Sequence, residues 1–161
     1  MCPETCGCGP GQAPAARTGA VKAVIIYNSL TGTTEKAAHR IASELRALRV
    51  EATPVPIGEA DEATVADVDL VVVGTWTDGI VIMGQKPAGK RKLRNLPSLA
   101  GKRAVVYCTY AVDPGHTLDK LVAEVEARGA DVIGGFAIAR HDVAGDVAEF
   151  IDRLTPELAQ A

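Results

Sequence analysis

Short runs rich in valine and isoleucine alternate with longer segments of helical periodicity over most of this chain of 161 residues. Five such runs predict β-strands, at 21–27, 50–57, 68–74, 102–108 and 130–139. Three of them are continuously apolar, as strands must be when helices cover both faces of their sheet. The alternation predicts the α/β class, with a parallel sheet between two layers of helices.

The run at 50–57 differs from the others because its polar and apolar residues alternate and it contains Pro54 and Pro56. Proline has no N–H to donate to a neighbouring strand, so this strand is expected at an edge of the sheet. The strand order 2-1-3-4-5 of doubly wound sheets puts the second strand at an edge. We therefore predict a five-stranded parallel sheet of that order.

Three longer segments place apolar residues three and four positions apart, which is the spacing of a helix packed against a sheet. Their apolar stripes are Ala37, Ala38, Ile41, Leu45 and Leu48; Leu118, Leu121, Val122 and Val125; and Val147, Phe150, Ile151 and Leu154. Thr117 is expected to cap the second helix, and Gly129 to end it in the left-handed conformation. The third helix is expected to begin near Val143, and Pro156 to end it or restart it as one extra turn.

The length of the chain suits one domain, which we place at residues 21–161. Residues 1–20 are rich in glycine, proline and alanine and have almost no large apolar side chain, so they are predicted to form a flexible arm. This arm contains three of the four cysteines, Cys2, Cys6 and Cys8. Their spacing leaves metal binding open, although a tetrahedral zinc site needs a fourth ligand from elsewhere.

Charge and hydropathy exclude two classes of function. The formal net charge of -3 carries no basic excess of the kind that attracts nucleic acid. No run approaches the roughly 18 apolar residues of a membrane helix, and the N-terminus lacks the order of a signal peptide. These features predict a cytoplasmic protein that contacts neither nucleic acid nor a membrane.

The turn after the first strand carries the stretch NSLTGTTEKAAHR, in which four hydroxyl residues surround a glycine. In a parallel sheet this turn lies at the carboxyl ends of the strands, where ligands bind. The following helix begins there with unpaired N–H groups and a partial positive charge, which attract an anion without lysine or arginine. Ser29, Thr31, Thr33 and Thr34 add hydroxyl donors, and Gly32 lets the backbone approach closely. A phosphate monoester fits these groups.

Helix capping and the common nucleotide or metal motifs account less well for this turn. Serine and threonine cap helices, but one cap accounts for one or two hydroxyls rather than four. The pattern G-x-x-x-x-G-K-[ST] is absent, and no G-x-G-x-x-G follows the first strand. A phosphoryl-accepting receiver domain would place acidic residues where this chain has Asn28 and Ser29. No cluster of carboxylates is present there to bind magnesium.

The stretch SLTGTT resembles the phosphate loop of the flavodoxin family, [ST]-x-T-G-x-T, at every defined position. The strand layout extends the resemblance over about 140 of the 161 residues, and the uninterrupted last strand is similar to that of short-chain members. The resemblance implies a flavodoxin-like fold and FMN as the cofactor. It assigns the 5'-phosphate of FMN to the loop residues Ser29, Leu30, Thr31, Gly32, Thr33 and Thr34.

The resemblance also implies that the loops after the third and fourth strands hold the isoalloxazine ring. These loops read GTWTDG and CTYAVDPGH, and Trp76 and Tyr110 are the aromatic residues expected to stack on the ring. Backbone groups of Thr77, Asp78 and Gly79 are expected to face the ring edge that gains a proton on reduction. The remaining residues assigned to the cofactor in these loops are Thr75, Thr109, Ala111, Asp113 and Gly115.

A basic run follows the first of these loops, in contrast to the acidic surroundings of the flavin that are typical of the family. It consists of Lys86, Lys90, Arg91, Lys92 and Arg94. One interpretation is a solvated face of a short third helix. The other is a docking surface for an acidic protein or an anionic substrate.

The resulting hypothesis is a flavodoxin-like electron-transfer protein that carries electrons on FMN between a reductase and an acceptor protein. Two alternatives stay open. One is an FMN oxidoreductase of the same fold that acts directly on a quinone or a small organic substrate. The other is an interaction module without flavin that works through its cysteine-rich arm.

Overall fold

The computed structural model describes residues 19–79 and 84–160. Six strands and five helices lie within these ranges. They are β1 Lys22–Tyr27, α1 Thr33–Ala47, β2 Glu51–Pro56, α2 Glu62–Ala66, β3 Leu70–Asp78, β4 Lys86–Pro87, α3 Lys90–Arg94, β5 Arg103–Tyr110, α4 Thr117–Glu126, β6 Asp131–Ala139 and α5 Val143–Leu158. The predicted arm falls mainly on residues 1–18, outside the described ranges, so the domain boundary stays a prediction.

The five long strands form a parallel sheet in the order β2-β1-β3-β5-β6. In chain order of the long strands this is 2-1-3-4-5, so the predicted architecture is confirmed. The strand with Pro54 and Pro56 lies at an edge, as expected. The predicted strand count omitted β4, a two-residue strand that pairs antiparallel with the end of β3.

Two strands run further than the sequence predicted, which changes the setting of several site residues. β3 continues from Gly74 to Asp78, and β5 continues from Cys108 to Tyr110. The two strands stay paired as far as Trp76 and Thr109, beyond which the end of β3 pairs with β4 and Tyr110 pairs with β6. The backbone hydrogen bonds of these residues are thus satisfied within the sheet. The residues predicted in loops but found in strands are Thr75, Trp76, Thr77, Asp78, Thr109 and Tyr110.

Helices cover both faces of the sheet and bury two apolar clusters. α1 and α5 pack on one face, where Ile41, Leu45 and Phe150 belong to one buried cluster with side chains of β1, β3 and β5. α2, α3 and α4 cover the other face through residues such as Leu93 and Leu121. The side chains of each inner strand therefore alternate between two buried layers, which explains their continuously apolar sequence. Within the two described ranges, no helix has the length and apolar composition needed to cross a membrane.

The predicted helix ends are right in part. Gly129 follows α4 with a φ of +91°, the left-handed conformation that the sequence predicted. Thr117 is not the cap of α4, because His116 takes that position and Thr117 is already helical. The prediction of an end or a restart at Pro156 is also wrong. α5 runs through Pro156 to Leu158. Leu158 packs against the core, and this packing compensates for the backbone hydrogen bond that Pro156 cannot donate.

Candidate functional site

A hollow of about 160 Å³ lies at the carboxyl edge of the sheet. The residues that line it come from the turn after β1 and from the ends of β3, β5 and β6. The lining residues are Leu30, Thr31, Thr33, Trp76, Thr77, Thr109, Tyr110, Ala111 and Arg140. All but Arg140 belong to the residues that the sequence assigned to a cofactor.

A larger hollow, of about 480 Å³, lies at the opposite edge of the sheet and is lined by residues 19–22 and 66–69 and by Lys102. It adjoins the starts of β1, β3 and β5. Ligands of open parallel sheets bind outside the carboxyl ends of the strands, because loops and helix N-termini converge there. We therefore place the functional site at the smaller hollow.

The turn after β1 has the geometry of an anion cradle. Gly32 immediately precedes α1 and has a φ of +87°, which glycine adopts without a steric penalty. Its N–H donates to Ser29 Oγ over 3.1 Å, so the serine side chain holds the turn closed. Thr31 is exposed and Thr33 is half-buried, and both line the hollow. The first amides of α1 lack acceptors within the helix and open toward the same space.

Thr34 lies in the same turn but its hydroxyl points into the protein. It is 1% exposed, and its Oγ1 lies 2.8 Å from Thr109 Oγ1 on β5. The Tyr107 hydroxyl donates to the Thr34 carbonyl over 3.0 Å. Thr34 therefore ties the first turn of α1 to β5, and its hydroxyl already has a partner.

Trp76 and Tyr110 are half-buried at the ends of two neighbouring strands, and the backbone of each is fixed. The Trp76 carbonyl accepts from Ala88 N over 3.0 Å, and the Tyr110 carbonyl accepts from Arg140 N over 2.9 Å. Both aromatic side chains line the hollow. Thr77 also lines it, and the one neighbour of its buried Oγ1 among the described residues is the thiol of Cys108, a weak hydrogen-bond partner. A flat polar ligand would meet two aromatic side chains and one hydroxyl here.

The remaining predicted residues lie around the hollow rather than in its lining. Asp78 pairs with Lys86 across β3 and β4, and Gly79 follows with a φ of +112°. Asp113 Oδ1 accepts from Gly115 N over 2.8 Å, which closes the turn after β5. Thr75 is fully buried, and its hydroxyl donates to the carbonyl of Ala88 over 2.9 Å, which ties the end of β3 to the residue after β4.

Gln85 braces two of these segments and was not predicted from the sequence. Its side-chain amide donates to the backbone carbonyl of Asp113 over 2.7 Å, and its backbone carbonyl accepts from Lys120 Nζ over 2.6 Å. Gln85 thus connects the segment before β4 to the turn after β5 and to α4. A single glutamine in a polar stretch has no recognisable pattern, so the sequence carried no signal for this role.

The model of the flavodoxin domain matches residues 24–158, which contain every strand of the sheet except the start of β1 and every residue of the site. The chain belongs to the flavodoxin family. No curated protein matches the sequence.

Solved flavodoxins share this fold over nearly their whole length. The two-electron reduced flavodoxin of Megasphaera elsdenii is 25% identical, with a TM-score of 0.66 over 86% of this chain and 99% of that one. Flavodoxin 1 of Bacillus cereus is also 25% identical, with a TM-score of 0.57 over 81% and 97%. A Fusobacterium nucleatum flavodoxin bound to flavin mononucleotide is 13% identical, with a TM-score of 0.62 over 84% and 98%, and shows the common fold.

The basic run of this flavodoxin is partly neutralised. Lys90 Nζ lies 3.1 Å from one carboxylate oxygen of Glu124 on α4, and Arg94 Nε lies 3.6 Å from the other. Arg91 and Lys92 form no ion pair with the described residues. Both lie on α3, so a solvated helix face and a docking surface are still compatible with this placement.

Cys108 lies under the site in β5 and is completely buried. Burial raises the pKa of its thiol from 9.0 to about 11, and the neighbouring Thr77 hydroxyl works in the opposite direction. The thiol is therefore neutral at physiological pH, and a neutral thiol is a poor nucleophile. Cys108 is a packing residue beneath the hollow.

The raised pKa of Cys108 predicts a loss of stability in alkali. The folded state favours the neutral thiol, so its contribution is complete below pH 9 and is lost between pH 9 and about 11. We expect Cys108 to account for about 1 kcal/mol of the stability lost between pH 8 and pH 10. Urea unfolding of the wild type and of Cys108→Ala at both pH values measures this difference. An unchanged pH dependence in Cys108→Ala would contradict the assignment, whatever the variant costs at neutral pH.

Proposed function

We propose that this flavodoxin binds one FMN at the carboxyl edge of its sheet and carries electrons between a reductase and an acceptor protein. FMN is the cofactor that the family of this chain uses. The observation that carries the proposal is the single hollow that brings the SLTGTT turn together with Trp76 and Tyr110. FMN has a phosphate at one end and an aromatic ring system at the other, which match the turn and the two aromatic residues.

The phosphate end of the site fits a dianion. Gly32 leaves the backbone bare at the start of α1, and a Cβ built on it would meet no atom within 4 Å, so this surface is open to a ligand. The side chains of Thr31 and Thr33 line the hollow and can donate hydrogen bonds. Together with the amides and the dipole of α1, they would hold a phosphate by charge-assisted hydrogen bonds.

The ring end of the site fits a flat aromatic group with polar edges. Trp76 and Tyr110 present aromatic surface, and stacked aromatic pairs are stabilised by about 1 kcal/mol beyond the area they bury. The buried Thr77 hydroxyl, which has only the weakly hydrogen-bonding Cys108 thiol beside it, would gain a stronger partner from a polar edge of the ring. The carboxylate of Asp78, close to Thr77 at the end of β3, would disfavour added negative charge on the ring.

Bound FMN supplies the redox chemistry, and the residues of the chain bind it, orient it and set the surrounding charge. The side chains that line the hollow also bear on whether this site catalyses a reaction. Among the described residues that line the hollow there is no acidic residue, cysteine or histidine, which are the common general acids, bases and nucleophiles. This supports a carrier that hands electrons to a partner over an enzyme that transforms a substrate at this site.

Titration of the purified protein with FMN tests the cofactor site. We expect quenched flavin fluorescence at one equivalent, and about tenfold weaker binding in a Thr31→Ala, Thr33→Ala double variant, because two hydroxyl donors to a charged group are lost. Thr53→Ala, an exposed threonine on the edge strand β2, is the matched control and should bind FMN like the wild type. A protein that takes up no FMN at saturating concentrations would rule out the proposed function and favour the interaction module.

A turnover assay separates the carrier from the direct oxidoreductase. The FMN-loaded protein is mixed with reduced nicotinamide and a quinone, with no other protein present. The carrier predicts no catalytic turnover until a flavodoxin reductase is added, whereas the oxidoreductase predicts turnover from the start. Sustained partner-free turnover would replace the proposed function by the alternative.

A further inference from the structure

Arg140 is the one charged residue among the described residues that line the hollow. It follows β6 directly, and its backbone N–H donates to the Tyr110 carbonyl over 2.9 Å, so its position at the edge of the site is fixed. The side chain is exposed and forms no ion pair or hydrogen bond with the described residues. A guanidinium with five N–H donors therefore faces the hollow without a partner there.

The nearest acidic residues along the chain are already engaged with the backbone. Asp142 caps α5 by accepting from Gly145 N over 3.1 Å. Asp146 accepts from Ala139 N over 2.6 Å. Both carboxylates thus satisfy amides at the junction of β6 and α5, and neither pairs with Arg140. The positive charge of Arg140 is therefore available to pair with an anionic ligand.

Arg140 shares one hollow with residues of the phosphate end of the site. Arg140 lies just before α5, and α5 packs against α1 on the same face of the sheet. The start of α1 is the proposed phosphate cradle, and its first residue, Thr33, lines the same hollow as Arg140. The SLTGTT turn itself contains no lysine or arginine. The amides, the helix dipole and the hydroxyls can hold a phosphate there, but none of them carries a full positive charge.

We propose that Arg140 contacts the phosphate of FMN and supplies the positive charge that the phosphate loop lacks. This inference rests on the proposed function, because it assumes that FMN occupies the hollow. A guanidinium can donate two parallel hydrogen bonds to phosphate oxygens, and such charge-assisted bonds are stronger than those from hydroxyls.

Comparing FMN with riboflavin tests this role, because riboflavin has the same ring and side chain but no phosphate. We expect Arg140→Ala to weaken FMN binding about tenfold and to change riboflavin binding less than twofold. Arg140→Lys should recover part of the loss, since it keeps the charge but not the planar pair of donors. Arg91→Ala removes the same charge from an exposed position on α3 and is the matched control. It should leave both affinities within twofold of the wild type.

The affinities are measured by fluorescence quenching at low salt and again at 0.5 M salt, with urea unfolding as a check on the fold. The difference between Arg140→Ala and the wild type should shrink at high salt. An equal loss of FMN and riboflavin would overturn the inference, because the residue would then act on the ring or on the fold. An unchanged FMN affinity in Arg140→Ala would overturn it as well and would leave the FMN site itself standing. Failure of the wild type to bind FMN would overturn both this inference and the proposed function.

Discussion

Replacing Gly74 by alanine is expected to lower the free energy of unfolding by about 3 kcal/mol or more. Gly74 on β3 lies directly opposite Tyr107 on β5, and the fully buried Tyr107 ring extends across it. A Cβ at position 74 would overlap the ring and the hydroxyl of Tyr107. Because the ring has no solvent to turn into, either the ring or the strand pairing must shift.

The same substitution should also weaken FMN binding. A displaced Tyr107 ring can no longer donate to the Thr34 carbonyl, which lies in the first turn of α1. The phosphate loop would lose one of its two ties to β5, and the buried Tyr107 hydroxyl would be left without a partner, at a cost of about 1–3 kcal/mol. The substitution therefore acts on stability and on the cofactor site through one contact.

Urea unfolding followed by circular dichroism measures the effect, with Gly134→Ala as the matched control. Gly134 is also a strand glycine, on β6, but a Cβ built there meets no atom within 4 Å. We expect Gly134→Ala to change the stability by less than about 0.5 kcal/mol. If Gly74→Ala and Gly134→Ala unfold at the same urea concentration, the packing of Tyr107 against Gly74 is not what requires glycine at position 74.

The fold could be predicted from the sequence because its main physical constraints apply to whole strands. Continuous apolar runs are required wherever a strand is covered on both faces, and Pro54 and Pro56 exclude an inner position for their strand. The sequence could not predict β4, because two residues carry no periodicity. The extension of β3 and β5 was missed because Thr75, Thr77 and Thr109 are polar residues of a kind that is common in loops.

The candidate site was predictable to the level of its loops but not of its side-chain directions. As the carboxyl-edge rule predicted, residues from the turn after β1 and from the ends of β3 and β5 lie together around one hollow. The rule could not tell that the Thr34 hydroxyl points inward to Thr109, since that depends on the rotation of the first turn of α1. Arg140 follows the last strand and obeys the same rule, so extending the rule to β6 would have found it.

Replacing Thr33 by aspartate is expected to have opposite effects on stability and on cofactor binding. Thr33 is the first residue of α1 and is half-buried in the lining of the hollow. A carboxylate in the first turn of a helix interacts favourably with the helix dipole, so the stability should stay the same or rise by up to about 1 kcal/mol. The same carboxylate would lie beside the phosphate dianion of FMN. Two unit charges about 5 Å apart near a protein surface repel each other by about 3 kcal/mol, which predicts at least 100-fold weaker FMN binding.

Thr33→Asn is the matched control, because asparagine has nearly the same size and shape as aspartate but no charge. We expect its FMN affinity to fall by less than about tenfold, and the additional loss in Thr33→Asp to diminish as salt rises toward 1 M. Riboflavin binding should differ little between the two variants, since the repelled group is the phosphate. Equal losses of FMN affinity in the aspartate and asparagine variants would mean that no anion lies beside Thr33, and the cradle at the start of α1 would then have to hold something other than a phosphate.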